Sequence, residues 1–355
     1  MMKANRRHMS DDQSFQVNRI EGLNKFNSAH QKAFWKEIFS HLRGKPVELL
    51  SFEDVRTRLR LHEESYRGLQ DIPLDKIAGS VGRYREFTRD FLPKTKEMRE
   101  RWSRVYAVAN GLQGYPPIEV YKIGEVYFVR DGNHRVSVAR QLDSKTIEAH
   151  VTELPTPIDL TADMSMEDID EATAHRNFLK VTGLEDSRPH HQSLELTEAS
   201  RYSDLMGHIY LHQYLVSHMT GQDVSLHEAA ANWYDYVYRP ALTLILKYEM
   251  KEQLGARTEG DLYLWMVDHL SQLRGEFGDS APSRKFSDAL IDFLEVRNIN
   301  VPEDLRREQD DSVLLSRTQL MRAIANLPPE IRDNPQKAIV SDELDVAIDY
   351  PNDED

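Results

Sequence analysis

The chain has 355 residues, no cysteine, 40% hydrophobic residues and a formal net charge of −14. Such a length suits two or three domains with real cores, and the missing thiols exclude disulfides, thiolate metal sites and cysteine nucleophiles together. No apolar run approaches the roughly 20 residues of a membrane span, and the opening residues lack the apolar stretch of a secretory signal, so no membrane partner and a cytoplasmic location are expected.

Charge is divided unevenly along the chain. Residues 1–152 hold 27 Lys+Arg against 20 Asp+Glu, a net +7, whereas residues 153–355 carry a net −21. The front half suits an anionic ligand. The rear would repel a nucleic-acid backbone, so DNA stays open as a partner without support from the net charge.

In chain order, residues 1–22 are polar and read as a flexible tail. Residues 23–70 read as an N-terminal helical segment, with Phe34, Trp35, Ile38, Phe39 and Leu42 at helical spacing and Ser51 placed to cap a helix three residues before Asp54. Ile72-Pro73-Leu74 reads as extended chain, because the residue before proline avoids the helical region. Two glycines, Gly79 and Gly82, then flank Ser80 and precede Arg83. Residues 94–111 read as a helix, 118–123 and 126–129 as the strands of a hairpin, and 147–151 as a further strand. Together residues 71–155 describe a small α/β unit. Residues 156–300 are different in kind: stretches at 165–180, 195–220, 225–254, 259–275 and 283–297 read as helices, with capping boxes at Ser225/Glu228 and Thr258/Asp261. Residues 301–355 form an acidic tail with one helix-like stretch at 316–326. The fold class expected is therefore α+β, a small α/β domain followed by an all-helical one.

Residues 131–135 (DGNHR) carry the chemistry. A strand ends at Asp131, Gly132 permits an otherwise forbidden bend, and a helix capped by Asn133 begins at once. The first amides of a helix lack partners and sit at its positive end, where an anion is the natural guest. His134 and Arg135 stand where a purely structural helix prefers acids, and both can donate to phosphate oxygens. The plainer alternative is an ion pair in which Arg135 holds Asp131 in a tight turn. Glu86 and Glu119 are candidate carboxylate bases, with a surface role as the alternative for each. Asp131 is a candidate magnesium ligand. In the rear half, His208 and His212 stand four apart on one helix with His218 beyond. That spacing fits two metal ligands, but the surrounding Tyr210, Leu211, Tyr214 and Leu215 favour packed histidines. Trp233, Tyr234, Tyr236, Tyr238, Tyr263 and Trp265 read likewise as core aromatics.

The order Pro116-Pro117-Ile118-Glu119-Val120, Tyr127-Phe128, Asp131-Gly132-Asn133-His134-Arg135 and Ile147-Glu148-Ala149 resembles the ParB N-terminal/sulfiredoxin-like superfamily over residues 70–152. Ile72 to Ile77 resembles its opening strand, and residues 79–83 fall where its second phosphate-contacting loop lies. The resemblance implies a nucleotide (ATP, ADP or CTP, with Mg2+ in some members) held by Gly132, Asn133, His134, Arg135, Ser80 and Arg83. The expected function is a nucleotide-binding ParB-like protein, regulatory or nucleic-acid-associated. The alternatives are a phosphotransferase of the free-serine-kinase type, using Glu86 or Glu119, and a nuclease-like enzyme. Sulfiredoxin chemistry is excluded, because it needs a cysteine where Asn133 stands.

Overall fold

The computed structural model describes residues 2–43, 48–111, 114–255, 258–277 and 286–307. The chain divides into two compact units, residues 1–170 and 171–355.

The first unit opens with a 42-residue helix, α1 (Met2–Arg43). The stretch expected as a flexible tail is the N-terminal half of this helix. Its lower half buries Gly22, Phe26, Ala29 and Ala33, spaced three and four apart so that they share one face. Two short elements follow, β1 (Leu50–Ser51) and α2 (Phe52–Arg58). Ser51 caps α2 by accepting from the Asp54 amide at 3.4 Å, as its position in the sequence implies. Residues 23–70 are thus not wholly helical: they also contribute β1 and the beginning of β2 (Ser65–Pro73).

Next come β3 (Ile77–Ser80), α3 (Arg99–Ala109), the hairpin β4 (Ile118–Ile123) and β5 (Val126–Asp131), α4 (Asn133–Gln141) and β6 (Thr146–Leu154). The six strands form one mixed sheet in the order β1-β3-β5-β4-β6-β2. β1, β3 and β5 run parallel, β4 pairs antiparallel with β5 and parallel with β6, and β2 closes the edge antiparallel to β6.

Alternation along the strands decides what each face does. Ile118, Val120, Val129, Ile147, Ala149 and Val151 share a core with Trp102 and Tyr106 of α3 and with Val136, Val138 and Ala139 of α4. On the opposite face Phe52 stacks on Tyr121 at 4.3 Å and meets Phe128 edge-on at 5.8 Å. Gly79 lies where β1 and β5 close on β3. A Cβ there would stand 2.4 Å from both the Leu50 carbonyl oxygen and Phe128 Cδ1, so this glycine serves strand packing.

The second unit is helical. It contains the rest of α5 (Met166–Thr182), α6 (Leu184–Ser187), α7 (Tyr202–Thr220), α8 (Leu226–Trp233), a π-helical turn over Tyr234–Tyr238, α9 (Arg239–Lys247), α10 (Met250–Leu254), α11 (Glu259–Phe277) and α12 (Phe286–Val296). Both expected capping boxes form. Ser225 Oγ accepts from the Glu228 amide while Glu228 accepts in return, and Thr258 and Asp261 exchange bonds in the same way. Residues 195–201, expected as the start of a helix, are extended and then a single tight turn before α7 begins. The helix-like stretch at 316–326 lies outside the described residues.

Candidate anion site at the start of α4

Gly132 makes the bend that delivers α4. Its φ is +115° with ψ +18°, a conformation natural only to glycine. Space enforces the same choice, since a Cβ would lie 2.4 Å from Ile118 Cγ2. Gly132, not Asn133, is the N-cap, and it has no side chain to satisfy the helix. Asn133 is the first helical residue instead. The first intrahelical bond runs from the Val136 amide to the Gly132 carbonyl at 3.0 Å, leaving the amides of Asn133, His134 and Arg135 without helical partners.

The side chains beside those amides are buried and unsatisfied. Asn133 is 7% exposed and His134 4%. Asn133 Oδ1 and both ring nitrogens of His134 have no hydrogen-bond partner. Leaving such groups unpaired costs about 1–3 kcal/mol each, and most buried polar groups avoid it. The His134 ring meets Phe87 edge-on at 5.5 Å. Burial, with Arg101 and then Arg83 nearby, pushes its pKa down to about 4, so the imidazole is neutral near pH 7, with one nitrogen able to donate and the other to accept.

Those two arginines bring the positive charge. Arg83 follows β3 and pairs with Glu86 at 3.0 Å. Arg101 comes from α3, is exposed, and has no ion-pair partner among the described residues. Its neighbour, buried Trp102, donates from Nε1 to Ser137 Oγ of α4 at 2.8 Å, tying the two helices together within a turn of His134. Sequence reading missed Arg101, because nothing in a helix thirty residues upstream announces which face meets α4.

Other expected site residues take different roles. Arg135 donates to the carbonyls of Pro116 and Pro117 at 3.1 and 2.6 Å and pairs with Asp131 at 2.5 Å. Its guanidinium is spent on holding the loop before β4 and the end of β5, which is the ion-pair alternative rather than the phosphate one. Ser80 is fully buried and its hydroxyl donates to the Val129 carbonyl at 3.1 Å, so it serves the sheet.

Asp131, the candidate magnesium ligand, is held by Arg135, and among the described residues no group of three or more His, Asp or Glu side chains could hold a metal. Glu86 is paired with Arg83. Glu119 lies opposite Asp131 across the hairpin and stands 3.7 Å from Arg130. Each candidate base therefore faces a cation.

The chain matches no protein-family model, no curated protein and no solved structure.

His208 and His212 of the second unit are packing residues. His208 is next to the Tyr263 hydroxyl at 3.3 Å, and burial pushes its pKa down to about 4. His212 Nε2 bonds to Asn232 at 2.6 Å. The side chain of His218 lies outside the described residues. Trp233, Tyr234, Tyr238 and Tyr263 are buried, as expected of core aromatics, whereas Tyr236 and Trp265 are 66% and 40% exposed.

Proposed function

We propose that the first unit binds a phosphate-bearing ligand, a nucleotide, at the start of α4, and that the protein acts as a nucleotide-binding regulator of the ParB-like kind. The observation that carries this reading is the burial of Asn133 and His134 with Asn133 Oδ1 and both His134 ring nitrogens unpartnered, beside the first amides of α4 and two guanidinium groups. The unpartnered buried atoms cost stability, and a single anion placed against the amides, His134 and the two arginines offsets that cost. A phosphate oxygen accepts from the amides, from the neutral His134 donor and from Arg101, while Arg83 exchanges Glu86 for the ligand.

Transfer chemistry is supported less than binding, because a base must be free to take a proton and both Glu86 and Glu119 are paired with arginines. Calorimetric titration with ATP, ADP, CTP and GTP, with and without magnesium, tests the proposal. One nucleotide should bind, and His134→Ala and Arg101→Ala should each weaken it about tenfold, the loss of one charge-assisted or buried contact. The reading fails if no nucleotide binds, or if affinity is indifferent to both substitutions.

A further inference from the structure

α1 runs over 42 residues, and the burial of its side chains is described for residues 13–39. Its buried positions, Gly22, Phe26, Ala29 and Ala33, define one face. The opposite face exposes Val17 (64%), Ile20 (62%), Phe34 (56%), Trp35 (56%), Ile38 (39%) and Phe39 (53%). These six are nearly half of all large apolar side chains exposed among the described residues. They form two groups, Val17 with Ile20 and Phe34 with Trp35, Ile38 and Phe39, joined along the face by Asn24, Asn27 and Gln31; single exposed apolar residues need no explanation, but grouped ones mark an interaction surface.

The stripe is also free of charge. At about 100° per residue, Gln13, Gln16, Val17, Ile20, Asn24, Asn27, Gln31, Phe34, Trp35 and Ile38 fall within one face roughly 100° wide, and no Lys, Arg, Asp or Glu lies among them. In a chain that is 29% charged, a neutral stripe over more than three heptads stands apart from the rest of the surface. A nucleic acid or a lipid headgroup would want cations there, and none is present.

The spacing of the stripe is that of a coiled-coil seam: Val17, Ile20, Asn24, Asn27, Gln31, Phe34 and Ile38 alternate by three and four. It reads almost the same in reverse about Asn27. Laid antiparallel on its own copy, Val17 meets Ile38, Ile20 meets Phe34, Asn24 meets Gln31, and Asn27 meets itself. Small side chains then face large ones and amides face amides, whereas a parallel pairing would set Phe34 against Phe34. The exposed apolar area amounts to about 500 Å² per chain, or roughly 1,000 Å² for two, which is the threshold for a stable interface before any polar contact is added.

We propose that α1 is a dimerisation helix that pairs antiparallel with α1 of a second copy of this chain, with Asn27 at the two-fold axis. The proposal stands independently of the anion site.

Analytical ultracentrifugation of the full chain tests it. The wild-type protein should sediment as a dimer, at twice the 41.2 kDa chain mass. Ile20→Glu and Phe34→Glu should each give monomers with an unchanged circular dichroism spectrum, since both positions are exposed in the single chain. The double variant Ile20→Lys/Phe34→Glu should dimerise again, because the antiparallel register sets each lysine against a glutamate; a parallel pair would oppose like charges and stay monomeric. As the chain lacks cysteine, Asn27→Cys should also oxidise to a covalent dimer while Val17→Cys should not. A monomeric wild type, or a dimer untouched by either glutamate, overturns the proposal. Failure of the double variant to dimerise, or ready cross-linking through Val17→Cys, overturns the antiparallel register.

Discussion

His134 offers a quantitative test of the proposed anion site through stability alone. Its imidazole is 4% exposed with both nitrogens unpartnered, and its pKa is pushed from 6.5 to about 4, chiefly by burial. The folded protein therefore keeps His134 neutral, while the unfolded chain takes up a proton as pH falls through 6.5. Stability linked to this group is fully present above pH 6.5, is lost progressively as pH falls toward 4, and changes no further below that. At 1.36 kcal/mol per pKa unit, the loss amounts to about 2.5 kcal/mol near pH 4.5 and about 3 kcal/mol at its limit.

Other buried histidines titrate in the same range, so the measurement is a difference. Urea unfolding of the wild type and of His134→Gln, at about pH 7.5 and about pH 4.5, cancels the groups they share. Amide exchange in α4 reports on the first unit alone. The wild type should lose about 2.5 kcal/mol more than the variant on acidification, and a saturating nucleotide should shrink that gap, because a bound anion favours the protonated ring. Equal losses in the two proteins would mean that His134 is solvated or paired, and the argument for a ligand at α4 would go with it.

Two further outcomes follow from the same geometry. Gly132→Ala places a methyl 2.4 Å from Ile118 Cγ2 on a backbone at φ +115°; strain and overpacking together should cost about 3 kcal/mol or more in denaturant unfolding, and a cost under about 1 kcal/mol would show that the bend relaxes freely. Arg135→Ala and Arg101→Ala should separate in kind. The first removes the bonds to Pro116, Pro117 and Asp131 and should lower stability by about 2 kcal/mol, whereas the second should leave stability nearly unchanged and weaken nucleotide binding. The reverse pattern would return Arg135 to the role of ligand.

Local signals were read well where local physics decides. The hairpin over β4 and β5 announced itself by alternation, the capping boxes by Ser225/Glu228 and Thr258/Asp261, and the Gly132 bend by a glycine between a strand and a helix. The long α1 was harder. Residues 1–22 are polar, and its anchoring face is sparse: Gly22, Ala29 and Ala33 carry little hydrophobic signal, although Gly22 lies close against Ser103 and Tyr106 of α3 and the two alanines pack with Leu92. β1 was invisible for another reason. It is two residues long, and only pairing with β3, nearly thirty residues away, makes it a strand. Ser80 and Gly79 misled in the same manner, since a Gly-Ser pair reads as a phosphate loop unless it is known to run between two strands.

Arg135 and Arg101 show where sequence reasoning about a site stops. A cation in the first turn of a helix looks misplaced, and the misplacement invites a ligand as its remedy. Here Asp131, four residues earlier, supplies the countercharge, and the carbonyls of Pro116 and Pro117 absorb the remaining donors. Proline makes this arrangement natural: neither residue has an amide to contribute, but each leaves a carbonyl free to accept. Yet the electrostatic demand at α4 is not met by this exchange, because the amides, Asn133 and His134 remain unpaired. Arg101 of α3 adds to the positive potential there, on a helix that the Trp102–Ser137 bond joins to α4. The proposed site joins two helices through a buried tryptophan, so it depends on packing between distant segments, and only the three-dimensional structure reveals which arginine has no ion-pair partner among the described residues.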